Sequence, residues 1–173
     1  MGLRPGRVLK GKKRPWTRVS KSKPRKSYVV GVPYPRIHVF EMGNKEAEFD
    51  REVFLVSKDD VQIRDNALES ARIVSHKFLE KKLGGSTNYF YKMLVYPHNV
   101  IREHSIATGA GADRYSQGMA HAFGKPVGKA AIVKAGQKII MVRVNKEHAG
   151  IAKQALKRAS SKIRCRTTIE VKE

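Results

Sequence analysis

The chain has 173 residues, 40% of them hydrophobic, which is enough to form one folded domain with its own core and excludes a wholly disordered chain. Its 36 Lys and Arg residues against 15 Asp and Glu residues give a net charge of +21, which indicates a polyanionic partner, with nucleic acid the leading class. The single cysteine, Cys165, excludes an internal disulfide and a cysteine-based zinc ribbon, and no apolar run is long enough to span a membrane.

The N-terminal region is predicted to be an extended basic arm over residues 1–36. The first 40 residues contain twelve basic side chains and no acid, and five prolines prevent a long helix. Trp16 is interpreted either as a ring that stacks on unpaired RNA bases or as one that packs on the protein's own domain. For Tyr28 and Tyr34 packing on the domain is the favoured interpretation. The predicted RNA contacts of the arm are Arg4, Arg7, Lys10, Lys12, Lys13, Arg14, Trp16, Arg18, Lys21, Lys23, Arg25 and Lys26.

A single domain is predicted over residues 37–173, beginning with strands at Ile37–Met42 and Glu52–Ser57. A helix is expected to follow directly, with Ser57 as its N-cap and Asp60 as the capping-box partner, and to end at the glycines after Leu83. His76 lies beside the apolar stripe of this helix and is interpreted as a structural residue. The stripe comprises Val61, Ala67, Leu68, Ala71, Val74, Phe78 and Leu79.

A central loop is predicted over residues 102–117, because this stretch has almost no large apolar side chain. Its two glycines permit positive φ and a close approach of the backbone to another surface. Its arginines either grip phosphate and stack on bases or pair with Asp113 and Glu103 to hold the shape of the loop. The candidate functional residues in and beside the loop are Arg102, His104, Gly109, Gly111, Arg114 and Lys125.

The C-terminal part is predicted to contain a short helical turn at residues 118–123, strands at Ala130–Val133 and Lys138–Val144, a second helix and a last strand at Cys165–Val171. Asn145 is the expected N-cap of the second helix. Its buried stripe is predicted to be Ala152, Ala155, Leu156, Ala159 and Ile163, and its solvated face Lys153, Lys157, Arg158 and Lys162. The whole pattern predicts an α+β fold in which two helices pack on mainly antiparallel strands.

No enzymatic motif is complete in the sequence. The glycine pair of the loop is followed by Arg114 where a dinucleotide-binding motif needs a third glycine, and Gly124-Lys125 is followed by Pro126 rather than the Ser or Thr of a P-loop. The histidines have no metal-ligand or acid–base spacing. We therefore predict a protein that is not an enzyme, with no catalytic residue, no metal, no cofactor and no small-molecule substrate.

Several separated segments, in order, resemble the archaeal and eukaryotic ribosomal protein family L10e, the counterpart of bacterial L16p. They are Arg14–Arg18, Glu41–Phe49, Val61–Arg72, Ala107–Arg114 and Gly118–Ala131. The resemblance implies an α/β-hammerhead fold, a structural role in the large subunit of cytoplasmic ribosomes, and contacts with large-subunit rRNA, neighbouring ribosomal proteins and A-site tRNA. It also implies that the loop over residues 102–117 lies toward the tRNA cleft and that the protein supports late subunit assembly.

Two other classes of function are compatible with parts of the sequence. A basic DNA-binding or chromatin protein fits the net charge, but it does not account for the glycine-rich loop or the proline-broken arm, and no recognition helix is apparent. An enzyme that acts on RNA would need an acid–base constellation that the sequence lacks. The favoured interpretation is therefore a structural rRNA-binding protein.

Overall fold

The structure is a computed structural model, and it describes residues 22, 29–104, 107, 109–115 and 124–172. All the predicted RNA contacts of the arm, together with Tyr28, lie outside the described residues. The helical turn predicted for residues 118–123 also lies outside them.

Within the described part of the chain, eight strands form two antiparallel sheets. A five-stranded sheet has the order β1-β4-β7-β2-β8, and a three-stranded sheet has the order β3-β6-β5. The helices are α1, Asp65–Leu83, and α2, Ala149–Ser160. The strands are β1 Glu41–Gly43, β2 Arg51–Ser57, β3 Val61–Arg64, β4 Tyr89–Met93, β5 Asn99–Glu103, β6 Lys125–Val133, β7 Lys138–Val144 and β8 Thr167–Lys172. The predicted α+β class, with two helices and antiparallel sheets, is confirmed.

The two faces of the larger sheet bury different apolar side chains, because successive residues of a strand point to opposite faces. On β2, Val53 and Leu55 join the main core, which also contains Leu68 of α1 and Leu156 of α2. Phe54, between them in sequence, belongs to a smaller apolar cluster with Phe90 and Met141, and the Lys138 ammonium lies 3.6 Å from the Phe54 ring centre. The sheet is thus apolar on both faces.

The predicted start of the first helix at Ser57 is wrong. Ser57 ends β2, and its hydroxyl donates a hydrogen bond to the Asp59 carbonyl instead of capping a helix. The Asp60 carboxylate accepts a hydrogen bond from the backbone N–H of Ala135, a contact 75 residues away along the chain. The residues after this turn form β3, in which Ile63 pairs with Ala131 of β6. Ser57 and Asp60 have the sequence pattern of a helix cap, but their side chains form hydrogen bonds in the turn between β2 and β3. The helix α1 begins at Asp65.

Other predicted elements are confirmed with shifted ends. β1 begins at Glu41 rather than at Ile37, which is buried beside it, and β6 begins at Lys125, five residues before the predicted strand. The second helix follows a 3₁₀ turn at Lys146–His148, and its predicted stripe is buried throughout. The solvated face predicted for this helix is exposed as expected. Within the described residues, no helix is both long and apolar enough to cross a membrane.

His76 has the structural role predicted for it. Its Nδ1 atom lies 2.7 Å from the hydroxyl oxygen of Tyr89, so the two side chains share a hydrogen bond between α1 and β4. Burial raises the pKa of Tyr89 to about 12, so its hydroxyl stays protonated at neutral pH. The histidine therefore fastens the helix to the sheet.

Replacing Leu68 with alanine is expected to lower the free energy of unfolding by about 2–5 kcal/mol, because the side chain is fully buried between α1 and the sheet. Lys77→Ala on the exposed face of the same helix is the matched control and should change stability by no more than about 0.5 kcal/mol. Thermal or denaturant melts of both variants measure the difference. Equal stabilities would show that the wrong face of α1 has been assigned to the core.

Candidate nucleic-acid interface

The central loop leaves the domain between two paired strands of the smaller sheet. β5 and β6 are antiparallel, and the pairs closest to the loop are Arg102 with Pro126 and Glu103 with Lys125. A register shift between Ile101 and Arg102 marks an irregularity at this point. We call these last two pairs, with His104 and Gly124, the neck of the loop.

Gly124 allows the two chains of the neck to approach closely. A Cβ atom at this position would lie 2.6 Å from both the carbonyl carbon and the carbonyl oxygen of Glu103, and 2.9 Å from the backbone nitrogen of His104. These are backbone atoms, so they cannot move aside as a flexible side chain would. The neck therefore requires glycine here for reasons of space.

Gly124→Ala is expected to lower the free energy of unfolding by about 1–3 kcal/mol, because the added methyl group forces the two backbones apart. Gly128→Ala, four residues further along β6, is the control, since a Cβ there has no atom within 4 Å. Urea denaturation compares the two variants. The close approach at the neck is contradicted if Gly124→Ala is as stable as Gly128→Ala.

The described part of the loop is mostly exposed and tightly turned. Gly109 has φ 113° and Gly111 has φ 75°, both in the region that favours glycine, as predicted. A 3₁₀ turn at Ala112–Arg114 follows, in which the N–H of Arg114 donates to the carbonyl of Gly111 at 3.1 Å. The loop therefore presents an exposed arginine and an exposed aromatic ring, that of Tyr115, on a compact turn.

The predicted boundary of the loop is corrected at its N-terminal end. Arg102 and Glu103 are the last residues of β5, and their hydrogen bonding to β6 places them in the neck. Arg102 is half-buried, and its Nε atom is buried without a hydrogen-bond partner within the described part of the chain. Because adjacent strand residues face opposite ways, Arg102 and Glu103 do not share a face of the sheet.

The remaining candidate residues lie at different depths around the neck. His104 is half-buried directly after β5, Lys125 is exposed at the start of β6, and Arg114 is exposed on the 3₁₀ turn. Exposed cations of the second helix add to the basic surface elsewhere on the domain, although Arg158 lies 4.1 Å from the ring centre of Phe78. These cations belong to α2, whereas the loop is held between β5 and β6.

Tyr34 is a surface residue, although its sequence context favours packing on the domain. It was expected to pack on the domain, but 91% of its surface is exposed, so that interpretation is wrong. The neighbouring Pro35 and Ile37 are buried and hold the backbone, while the tyrosine ring faces solvent. The prolines at positions 33 and 35 could have predicted this exposure, because they favour an extended backbone in which successive side chains alternate between buried and exposed.

The fold and this site define a basic α+β protein with an exposed, glycine-rich loop held at a narrow neck. The sequence profile of the family described as ribosomal protein L16p/L10e matches residues 16–170. The chain therefore belongs to the L16p/L10e family of ribosomal proteins, whose members are structural components of the ribosome and not enzymes.

Curated relatives agree with this assignment over almost their full length. The chain is 48% identical over 173 residues to the large ribosomal subunit protein uL16 of Archaeoglobus fulgidus, covering all of this chain and 95% of the relative. It is 45% identical over 172 residues to the protein of the same name from Sulfolobus acidocaldarius, covering 99% and 94%. For the protein of that name from Methanococcus maripaludis strain C7 the identity is 47% over 163 residues, covering 94% and 90%.

Proposed function

We propose that this chain is a structural component of the large ribosomal subunit that binds large-subunit rRNA and shapes the path of A-site tRNA. The observation that carries the proposal is the family match over residues 16–170, which includes the C-terminal part of the arm, nearly all of both sheets and the loop. The net charge of +21 supports it, because a phosphate backbone neutralises such a surface. In this role the protein binds and positions RNA and does not catalyse a reaction.

The arm and the domain have separate tasks in this proposal. Residues 1–36 bind rRNA along its phosphates, and residues 37–173 form a single domain, of the α/β-hammerhead type, that holds the loop in place. Phosphate contacts of this kind fix register and orientation without reading sequence. The contacts assigned to the arm are its cations from Arg4 to Lys26, with Trp16 stacked on an unpaired base.

The loop is the part proposed to face the tRNA. Most of its described residues are exposed on a turn whose glycines permit close backbone approach, and Arg114 is placed to grip phosphate or to stack on a base. Arg102, His104 and Lys125 at the neck would act nearer the domain. A loop of this kind would also let the protein take part in late maturation of the subunit, when the tRNA cleft is formed.

Sedimentation tests the ribosomal role against the alternative of general binding to nucleic acid. The full chain, added to large subunits that lack this protein, is expected to co-sediment with them at moderate salt. Small subunits and a DNA duplex serve as matched polyanions. Equal binding to all three would show that the chain binds charge alone, and preference for the duplex would support the DNA-binding class.

A further inference from the structure

The exposed face of α2 carries a narrow uncharged stripe with cations on both sides of it. Because successive residues of an α-helix are rotated by about 100°, Gly150 and Gln154 lie within about 40° of each other around the helix axis. Lys153 and Lys157 lie on one side of this stripe, and Arg158 lies on the other. All five residues are exposed, whereas the opposite side of the helix is buried in the main core. We call these five residues the α2 strip.

The cations of the α2 strip are not neutralised by carboxylates of the described chain. Elsewhere on the domain, surface cations are paired, as in the ion pair of Arg143 with Glu52 at 2.7 Å. Among the described residues, no carboxylate forms an ion pair with a cation of the α2 strip. The acid nearest to these cations along the chain is Glu147, on the 3₁₀ turn before the helix. The strip is therefore complementary to an anionic partner.

Arg158 is held in position by a contact with the neighbouring helix. Its guanidinium carbon lies 4.1 Å from the ring centre of Phe78, which is buried on α1. A cation–π contact of this kind restrains the side chain without neutralising its charge, and the N–H groups of the guanidinium can still donate to an external acceptor. Because a restrained side chain loses less conformational entropy on binding, Arg158 is positioned in advance to bind a phosphate group.

The packing of the domain does not require glycine at position 150. Gly150 lies in the first turn of α2, its φ is not positive, and an added Cβ atom would meet no atom of the described chain within 4 Å. Glycine is also one of the least favourable residues in a helix. An exposed glycine does, however, let another molecule approach the backbone closely. We therefore interpret Gly150 as a point of contact with a partner.

Gln154 adds a group that both donates and accepts hydrogen bonds, and it is exposed one helical turn after Gly150. The 2′-hydroxyl of RNA is likewise a donor and an acceptor, and it is displayed in the wide, shallow minor groove of an RNA duplex. Reading DNA in its major groove requires several side chains that reach the base edges. The centre of the α2 strip has only one such side chain, so its chemistry favours the ribose-lined groove of RNA.

We propose that the α2 strip binds the minor groove of an RNA double helix. Gly150 and Gln154 lie against the ribose groups, Lys153 and Lys157 bind the phosphates of one strand, and Arg158 binds a phosphate of the other. Contacts of this kind fix the orientation of a protein without reading base sequence. The inference rests on the proposed function, since it takes RNA as the partner, and it adds a surface on the domain to the contacts assigned to the arm.

NMR of the full chain with an RNA duplex of about 16 base pairs tests this proposal. The duplex is expected to shift the backbone amide resonance of Gly150 and the side-chain amide resonance of Gln154. A DNA duplex of the same sequence should shift them by less than about half as much at equal saturation, because it lacks the 2′-hydroxyl. The proposal is overturned if the RNA duplex saturates the chain without shifting either resonance. Equal shifts with the DNA duplex would also overturn it and would support the DNA-binding class.

A substitution at Gly150 separates close contact from attraction by charge. Gly150→Leu should leave the melting temperature unchanged or raise it, because leucine favours a helix more than glycine does. Its affinity for the RNA duplex should nevertheless fall about tenfold, because the added side chain blocks close approach. Ser70→Leu, on the exposed face of α1, is the control and should bind the duplex as the unchanged chain does. Equal affinities of the two variants would contradict the contact at Gly150.

The salt dependence of binding to the RNA duplex tests the cations. The full chain with Lys153→Gln and Lys157→Gln should lose about 1.5 from the slope of log affinity against log salt concentration, since each phosphate contact contributes about 0.7–0.9. Lys58→Gln with Lys134→Gln removes two exposed cations next to the ends of β2 and β6 and is the matched control. Its slope should change by less than about 0.5. Equal changes in the two double variants would show that the duplex responds to net charge alone, against the proposal.

The outcome is distinguishable from a failure of the proposed function. If Gly150 and Gln154 do not respond to the RNA duplex while the chain still co-sediments with large subunits, the assignment to α2 alone is wrong. If the chain does not co-sediment with large subunits, the ribosomal role is wrong whatever the duplex does.

Discussion

A chain that lacks residues 1–26 is expected to bind large-subunit rRNA with a much weaker dependence on salt. These residues contain eleven of the 36 Lys and Arg of the chain and no acid. Each phosphate contact contributes about 0.7–0.9 to the slope of log affinity against log salt concentration, so removal of the arm should flatten the slope by several units. Affinity at low salt should fall by orders of magnitude, because the lost term is electrostatic and additive over many contacts.

Filter binding or fluorescence anisotropy over a range of salt concentrations measures this slope. A full-length chain with Lys153→Gln and Lys157→Gln is the control, because it loses two exposed cations of α2 and keeps the arm. Its slope should change by no more than about two units. If the slope is unchanged on truncation, or changes more in the double variant, the main RNA-binding surface lies on the domain and not on the arm.

Deletion of residues 105–115 is expected to leave a folded protein that enters large subunits but yields ribosomes that are slow in tRNA accommodation or blocked in late maturation. The described loop residues are exposed or half-buried and add little apolar area to the core, so their loss should cost little stability. Docking should persist, because it depends on phosphate contacts spread over many cations elsewhere.

Melting curves, subunit profiles and rates of tRNA accommodation together check this prediction. Arg114→Ala is the corresponding point variant and should slow accommodation if the guanidinium contacts RNA, whereas Asp113→Ala on the same 3₁₀ turn should not. If the Asp113 variant is as slow as the Arg114 variant, an ion pair that shapes the loop explains both. If subunits that contain the deleted protein translate at the normal rate, the loop is a connector without a role in tRNA binding.

The parts of the fold that sequence predicts well are those specified by local pattern. The apolar positions of α2 recur at helical spacing and are buried as predicted, and Lys138–Val144 is a strand with the bounds expected. Both depend on periodicity within one segment. The glycines of the loop were also predictable, because only glycine commonly adopts the positive φ found at residues 109 and 111.

The parts that sequence misses are specified by distant contacts. Ser57 and Asp60 carry the local signature of a helix cap, but pairing of β3 with β6 outweighs it, and those two strands are about 70 residues apart. A pocket beside the neck has the same origin, since its lining comes from the segment before β1, the start of α1 and two strands of the smaller sheet. No single stretch of sequence contains the information that brings these residues together.

Site-directed cross-linking from the loop tests whether the loop contacts A-site tRNA. A photoreactive phenylalanine analogue in place of Tyr115, which is 86% exposed on the loop, would be introduced into chains reconstituted into large subunits. The same analogue at Tyr96, an exposed residue of the domain away from the neck, is the control. We expect cross-links from position 115 to tRNA that appear only when the A site is filled, and none to tRNA from position 96. Cross-links from position 115 to rRNA alone, with the A site filled, would contradict it.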